Sequence, residues 1–275
     1  MPTLSKHQSN EYVKVLVEGD SKSGKTGSLA SLVCAGYKLR ILDWDNGLDV
    51  LKQFVQRDCP EKLGNVEFRT LRDKRKATPM GSIIDGQPRA FIEGVRMLDH
   101  WKYDDTDLGV PSGWGPDAIL VIDSLTFMSD AAWDWREPLT PRGKSGDYDK
   151  RATYGDAQNA IENILALVTS ASMETNVIVM SHVRYVENPD GTKKGYPVAV
   201  GAALSPTIPR YFNNVVRFVT SAGGKREIET TPSAMFDLAN AAPFKMPNKF
   251  PIATGLADFF AVLRDPPKAK LLKRA

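Results

Sequence analysis

Short apolar runs divide the chain, and polar or glycine-rich stretches separate them. Tyr12–Glu18 (YVKVLVE) reads as a buried strand, Lys38–Asp43 (KLRILD) as a second and Val66–Leu71 as a third. Helical spacing fills the intervals, at Lys25–Cys34 and Gly47–Gln56. Ala118–Asp123 (AILVID) is the most apolar run, as expected of a central strand covered on both faces. Tyr154–Thr169 predicts a strong helix, with Ile161, Ile164, Leu165 and Val168 on one face. Asn176–Ser181 (NVIVMS) predicts another buried strand, and Asn188–Leu204 a long Gly/Pro-rich loop. Val215–Thr220 and Arg226–Thr231 predict a hairpin across Gly223–Gly224, and a short helix follows near Leu256–Leu263. Alternating strand and helix predicts an α/β fold: a largely parallel central sheet with helices on both faces.

Residues Arg72–Gly115 interrupt this alternation and hold one predicted helix, about Pro88–Trp101. They are read as an insertion. The predicted organisation is an N-terminal arm (1–11), a core (12–231) with that insertion (about 72–115), and a C-terminal extension (232–275) ending in a basic tail.

Composition adds bounds. The chain has 275 residues, 42% of them apolar and 25% charged, ordinary for a globular protein able to bury a large core. No apolar run approaches the roughly 18 residues of a membrane span. The first residues, MPTLSKHQSNEY, lack the apolar segment of a signal peptide, so a cytoplasmic location is expected. The two cysteines, Cys34 and Cys59, have no metal-type spacing and are expected to stay as free thiols there. The net charge of +3 is too weak to imply nucleic acid by itself. Basic residues nevertheless cluster at Arg69–Lys76, Arg136–Arg151, Lys193–Lys194 and in the tail KAKLLKRA. Each cluster is by default a solvated face.

The clearest chemistry is GDSKSGKT at Gly19–Thr26, a match to G-x-x-x-x-G-K-[ST] placed between an apolar strand and a helix. Gly19 and Gly24 permit a tight curl that turns backbone N–H groups toward phosphate oxygens. Asp20, Ser21, Lys22 and Ser23 form the loop, and Gly27 continues into the helix. Lys25 carries positive charge to the β- and γ-phosphates, and Thr26 offers a hydroxyl to Mg²⁺. The expected ligands are therefore ATP and Mg²⁺. Asp123 ends a central strand, where a carboxylate suits the Mg²⁺ shell; Ser124 after it equally permits an ordinary helix cap. Asp43 and Asp45 end the second strand in ILDWDNGLD. A carboxylate there can polarise an attacking water, but Asp-Asn-Gly is also turn chemistry, and spacing alone does not choose.

In order along the chain, these segments resemble the core of the RecA-like recombinases. ILDWDNGLD resembles the strand ending in that family's catalytic glutamate, and on this register Asp45 falls at the catalytic position. Asp there is a departure, one methylene shorter than Glu. ILVIDSLTFM resembles the Walker B strand, with Asp123 as the metal carboxylate. VIVMSHVRY resembles the strand carrying the nucleotide sensor, where His182 replaces the usual Gln. A lone His after an apolar strand would otherwise read as structural. The likeness extends to small phage proteins that join a RecA-like ATPase to single-strand annealing. It covers about Tyr12–Thr231, leaving out the insertion.

The resemblance implies an ATPase that binds single-stranded DNA and promotes annealing or strand pairing in recombination. It implies a homo-oligomer, ring or filament, with ATP near the subunit interface, in the cytoplasm of a bacterial host if phage-encoded. A helicase or motor ATPase on the same core, or a nucleotide-gated clamp with negligible hydrolysis, are the alternatives. The register puts Arg136, Arg142, Lys144, Lys150 and Arg151, with Tyr148 and Tyr154, at one DNA-binding loop. It puts Lys193, Lys194 and Tyr196 at a second. The family's charge supplied by a neighbouring subunit would come from Lys225, Arg226, Lys245 or Lys249, with Lys225 favoured for its place before a core strand.

Overall fold

The computed structural model of the chain describes residues 11–79, 81–142, 149–187 and 190–264. Its elements in order are β1 (Lys14–Gly19), α1 (Lys25–Cys34), β2 (Lys38–Asp43), α2 (Asp49–Asp58), β3 (Val66–Thr70), β4 (Arg75–Thr78), β5 (Gly81–Ile84), α3 (Ala90–Asp99), β6 (Trp101–Tyr103) and β7 (Thr106–Gly109). They continue with β8 (Gly115–Asp123), α4 (Leu125–Arg136), α5 (Lys150–Thr169), β9 (Thr175–Ser181), β10 (Val183–Glu187), β11 (Lys193–Pro197), β12 (Asn214–Thr220), β13 (Arg226–Glu229), β14 (Lys249–Pro251) and α6 (Gly255–Arg264).

Eight strands make the main sheet in the order β14-β13-β12-β1-β9-β8-β2-β3. From β12 to β3 every neighbouring pair is parallel; β13 alone in this sheet runs the other way, antiparallel to both β12 and β14. This is the expected α/β architecture. The alternation within each strand explains its two covered faces. In β8, Ile119 and Val121 join the core under α1, α2 and α6, while Leu120 and Ile122 join the core under α3, α4 and α5. All four are fully buried, each contributing about 1.5–3 kcal/mol of transfer free energy.

Several elements differ from the sequence expectation. The α4 helix follows β8 directly. Between β3 and β8 the region read as an insertion forms two small antiparallel hairpins, β4–β5 and β6–β7, around α3. The predicted loop at Asn188–Leu204 contains β11, which pairs antiparallel with β10. Beyond Thr231 the chain does not stand apart: β14 extends the main sheet and Leu256, Phe259 and Phe260 fill the α1 side of the core.

The free-thiol expectation is corrected. Cys34 ends α1 and Cys59 follows α2; these helices pack side by side, their Cα atoms lie 5.5 Å apart, and the sulfurs are bonded. Helix packing brings together two residues separated by 25 positions.

Candidate nucleotide site

The parallel strands β1, β2, β8 and β9 all end at one edge of the sheet, the usual place for a ligand crevice in such folds. Gly19, Asp43, Asp123 and Ser181 are their last residues. The loop after β1 curls into α1, and Gly24 at the helix start takes φ +99°, which only glycine adopts easily. The Lys25 Nζ donates to the carbonyls of Gly19 (2.8 Å) and Asp20 (3.0 Å), spanning the curl. Burial pulls the Lys25 ammonium below its ordinary pKa; Asp123, Asp45 and Asp20 oppose this. The Ser23 Oγ is buried without a hydrogen-bond partner.

Thr26 Oγ1 donates to Asp123 Oδ2 at 2.7 Å. Asp123 is 1% exposed, and its carboxyl is pushed up to about 7, first by burial and then by Asp45 and Asp43, against the hydrogen bond from Thr26. Its other oxygen, Oδ1, is buried and unpartnered. A hydroxyl and a carboxylate in contact, with an orphaned carboxylate oxygen, are hard oxygen donors that fit Mg²⁺. Thr26 and Asp123 would hold it, and it would neutralise triphosphate charge.

Asp45 and His182 line the same cavity, of about 530 Å³, as Lys22, Lys25 and Thr26. Asp45 is steered by Ser124, whose Oγ donates to Asp45 Oδ1 at 3.0 Å. Asp43 instead serves the turn, accepting from Asn46 N (2.7 Å) and Thr70 Oγ1 (3.2 Å). Thus the two carboxylates left open by spacing divide: one faces the cavity and one holds the backbone.

His182 is half-buried. Its N–H donates to Thr126 Oγ1 (3.1 Å), its carbonyl accepts from Val198 N (2.8 Å), and its ring meets Phe127 edge-on at 5.9 Å. Burial, then the nearby Lys25 charge, lowers its pKa, which favours a neutral imidazole at pH 7.

The sequence reasoning missed several lining residues. Val50, Phe54, Arg57 and Asp58 of α2 line the cavity, as do Arg226, Ile252 and Ala253. Their signal was present only in part: Phe54 sits within the predicted second helix, but nothing local ties it to the phosphate loop. Also missed was Tyr185 in β10, whose hydroxyl donates to both carboxylate oxygens of Asp20 at 3.2 Å and accepts from Arg217 Nη2 at 3.2 Å.

The expected DNA-contacting residues scatter. Arg136 ends α4 and is paired with Asp156 of α5 (2.6 Å). Lys150 and Arg151 are exposed in the first turn of α5, and Arg142 is exposed before it. Lys144 and Tyr148 lie outside the described residues. Tyr154 packs against Trp133 with the rings tilted by 39° and their centroids 4.2 Å apart. Lys193 and Lys194 lie on β11, Lys193 exposed at 4.0 Å from Glu187 and Lys194 paired with Asp237 (2.8 Å). Of the basic residues expected to act in trans, Lys225 pairs with Glu227 (2.6 Å) and Lys249 with Glu229 (3.1 Å).

The family model of an AAA domain, AAA_24, matches residues 11–239, spanning the phosphate loop, β2, β8 and β9. The chain belongs to this AAA-domain family. No curated protein matches it in sequence. Among solved structures, the RadB recombinase is similar at 19% identity over 79% of each chain, with a TM-score of 0.41. A prototypical ATPase of a bacterial type III secretion system is similar at 13% identity, covering 75% of this chain and 52% of that one, with a TM-score of 0.39. The secretion ATPase EscN of enteropathogenic E. coli is similar at 12% identity, covering 77% of this chain and 44% of that one, with a TM-score of 0.41. The AAA domain thus spans about half the length of the secretion ATPases. Among its described residues no helix is long and apolar enough to cross a membrane.

Proposed function

We propose that this AAA-type ATPase binds Mg²⁺ and ATP, hydrolyses the γ-phosphate, and uses the nucleotide state to control binding of single-stranded DNA for annealing or strand pairing. The reading rests on one convergence: Lys25 at the start of α1, Asp45 and His182 line one cavity, and the buried Asp123 meets it through Thr26, which lines it too. Lys25 leaves its loop carbonyls for the phosphates. Asp45, held by Ser124, accepts a hydrogen bond from the attacking water and aligns it. A neutral His182 reads the γ-phosphate and passes its position through Thr126 to Val198, at the foot of the β10–β11 hairpin. Tyr185 supplies a second tie from that hairpin to Asp20 in the phosphate loop. The hairpin carries Lys193 and Lys194, and the α5 start carries Lys150 and Arg151, as the basic surface for DNA. As in RecA-like proteins, to which the sequence shows a resemblance, the working form would be a homo-oligomer.

Asp45 supports a second reading. Its shorter side chain, already engaged by Ser124, suits slow turnover, so that ATP acts as a clamp. Phosphate release with and without single-stranded DNA separates the two. Binding of an oligonucleotide measured with ATP, with ADP and without nucleotide tests the DNA function. Tighter binding with ATP is expected; equal binding in all three states removes nucleotide control.

A further inference from the structure

We propose that Arg226 acts within its own subunit as a second cationic ligand for the α- and β-phosphates of the nucleotide, closing the phosphate loop from the β13 side. The inference deepens the ATP-binding reading and rests on it.

Strand alternation aims the side chain. In β13 (Arg226-Glu227-Ile228-Glu229) successive residues point to opposite faces. Ile228 is buried in the core shared with α1 and α6, so Arg226 points to the α1 side as well. Glu227 and Glu229 point the other way, where they neutralise Lys225 and Lys249. Each neighbouring lysine of this hairpin therefore has an acid partner, whereas the Arg226 guanidinium makes no ion pair or side-chain hydrogen bond among the described residues.

Its position supplies the ligand. Arg226 lines the same cavity as Lys25 and Thr26. A Cβ built on Gly24 would lie 3.6 Å from Arg226 Nη1 and 2.6 Å from Ile252 Cδ1. Arg226 and Ile252 thus cover the last glycine of the phosphate loop. The N–H groups of that loop cradle the α- and β-phosphates, and α1 begins there with its positive dipole end. Asp45 and Asp58 line the same cavity but neither is in ion-pair contact with Arg226, so its guanidinium, beside the start of α1, is left for an arriving anion. The buried, unpartnered Ser23 Oγ lies in the same loop. A guanidinium, with its planar fork of donors, suits two phosphate oxygens at once. The basic residue expected to reach across from a neighbouring subunit is, for Arg226, already at home in its own site.

The test measures Mg²⁺-nucleotide affinity by calorimetry for the full chain, Arg226→Ala, Arg226→Lys and Lys25→Ala. Arg226→Ala should weaken ATP and ADP alike, by about ten- to hundredfold, and Arg226→Lys should recover part of the loss. Unchanged ATP affinity in Arg226→Ala, with Lys25→Ala strongly impaired, overturns the role of Arg226 but leaves the phosphate site standing. Wild-type affinity in Lys25→Ala would overturn both. A loss confined to ATP would overturn the α/β placement. Mixing Arg226→Ala with Lys25→Ala chains tests the subunit. No recovery of nucleotide binding is expected, and recovery would show that the arginine serves a neighbour.

Discussion

Glu18 sits one residue before the phosphate loop and is 2% exposed. Its carboxyl is pushed up from 4.5 to about 8, first by burial and then by Asp237, while Arg217 opposes the rise. At pH 7 the folded protein therefore keeps a proton that the unfolded chain has lost. Below about 4.5 both states are protonated and Glu18 costs nothing. As pH rises from there to about 8, only the unfolded state releases the proton, so stability falls; above that the full cost is reached. Lys194, paired with Asp237, and Tyr185, bonded to Arg217, complete the charged surroundings. Glu18→Gln should leave the melting temperature at pH 4 unchanged and raise it by about 5 °C or more at pH 8. Parallel melting curves for the two proteins across this range would assign the buried proton elsewhere. Nothing in YVKVLVE distinguishes this glutamate from an exposed strand end. It is flanked by Arg217 of β12 and Ser181 of β9, and Asp237 raises its carboxyl, all more than 160 positions away in sequence. The P-loop residues were legible because their chemistry is local: a curl of glycines, a lysine and a threonine must be contiguous to wrap one phosphate chain.

At the scale of elements, the strands buried on both faces were readable from their own composition. AILVID and NVIVMS need no partner to declare themselves, because continuous apolar runs have few other homes. The β10–β11 hairpin was not readable, and Gly195 shows why. A Cβ on it would lie 2.2 Å from the ring of Phe236, so its strand pairs by fitting beneath a distant aromatic. A glycine, two lysines and a proline in KKGYP give no alternation to recognise. Asn176 makes the opposite case: it lies in a predicted strand, yet it ties β9 to β8, to α6 and to the residue before β1. It is fully buried, and its Nδ2 donates to the carbonyls of Pro116 and Ala118, both at 2.7 Å. Its Oδ1 accepts from Val13 N and from Arg264, both at 3.0 Å. These bonds satisfy the backbone where the pairing of β8 with β9 shifts register. Asn176→Ala would orphan two carbonyls and an N–H, at a cost of about 2–4 kcal/mol. Chemical denaturation should show a lower midpoint with an unchanged slope. A midpoint within error of wild type would mean that water replaces the amide without loss.

For the whole molecule, the net charge of +3 says little, but the fold sorts which charges are available to a partner. Arg136 is spent holding α4 to α5, and Lys194 holds the hairpin to Asp237. Arg142, Lys150 and Arg151 are exposed, with no acid within ion-pair distance of their side chains among the described residues, and Lys193 is only distantly paired. Sequence clustering could not make this division, because the acids that neutralise Arg136 and Lys194 come from other segments. It yields a quantitative expectation for single-stranded DNA. If these four available charges each meet one phosphate, the logarithm of affinity should fall with the logarithm of salt at a slope near about −3. Arg151→Glu should weaken binding and flatten that slope by about one, without changing the melting temperature. Arg136→Glu should do the reverse, lowering the melting temperature through loss of the Asp156 pair while the slope holds. A wild-type slope near zero would remove DNA from this surface, and a slope flattened equally by both substitutions would mean that Arg136 abandons Asp156 for phosphate.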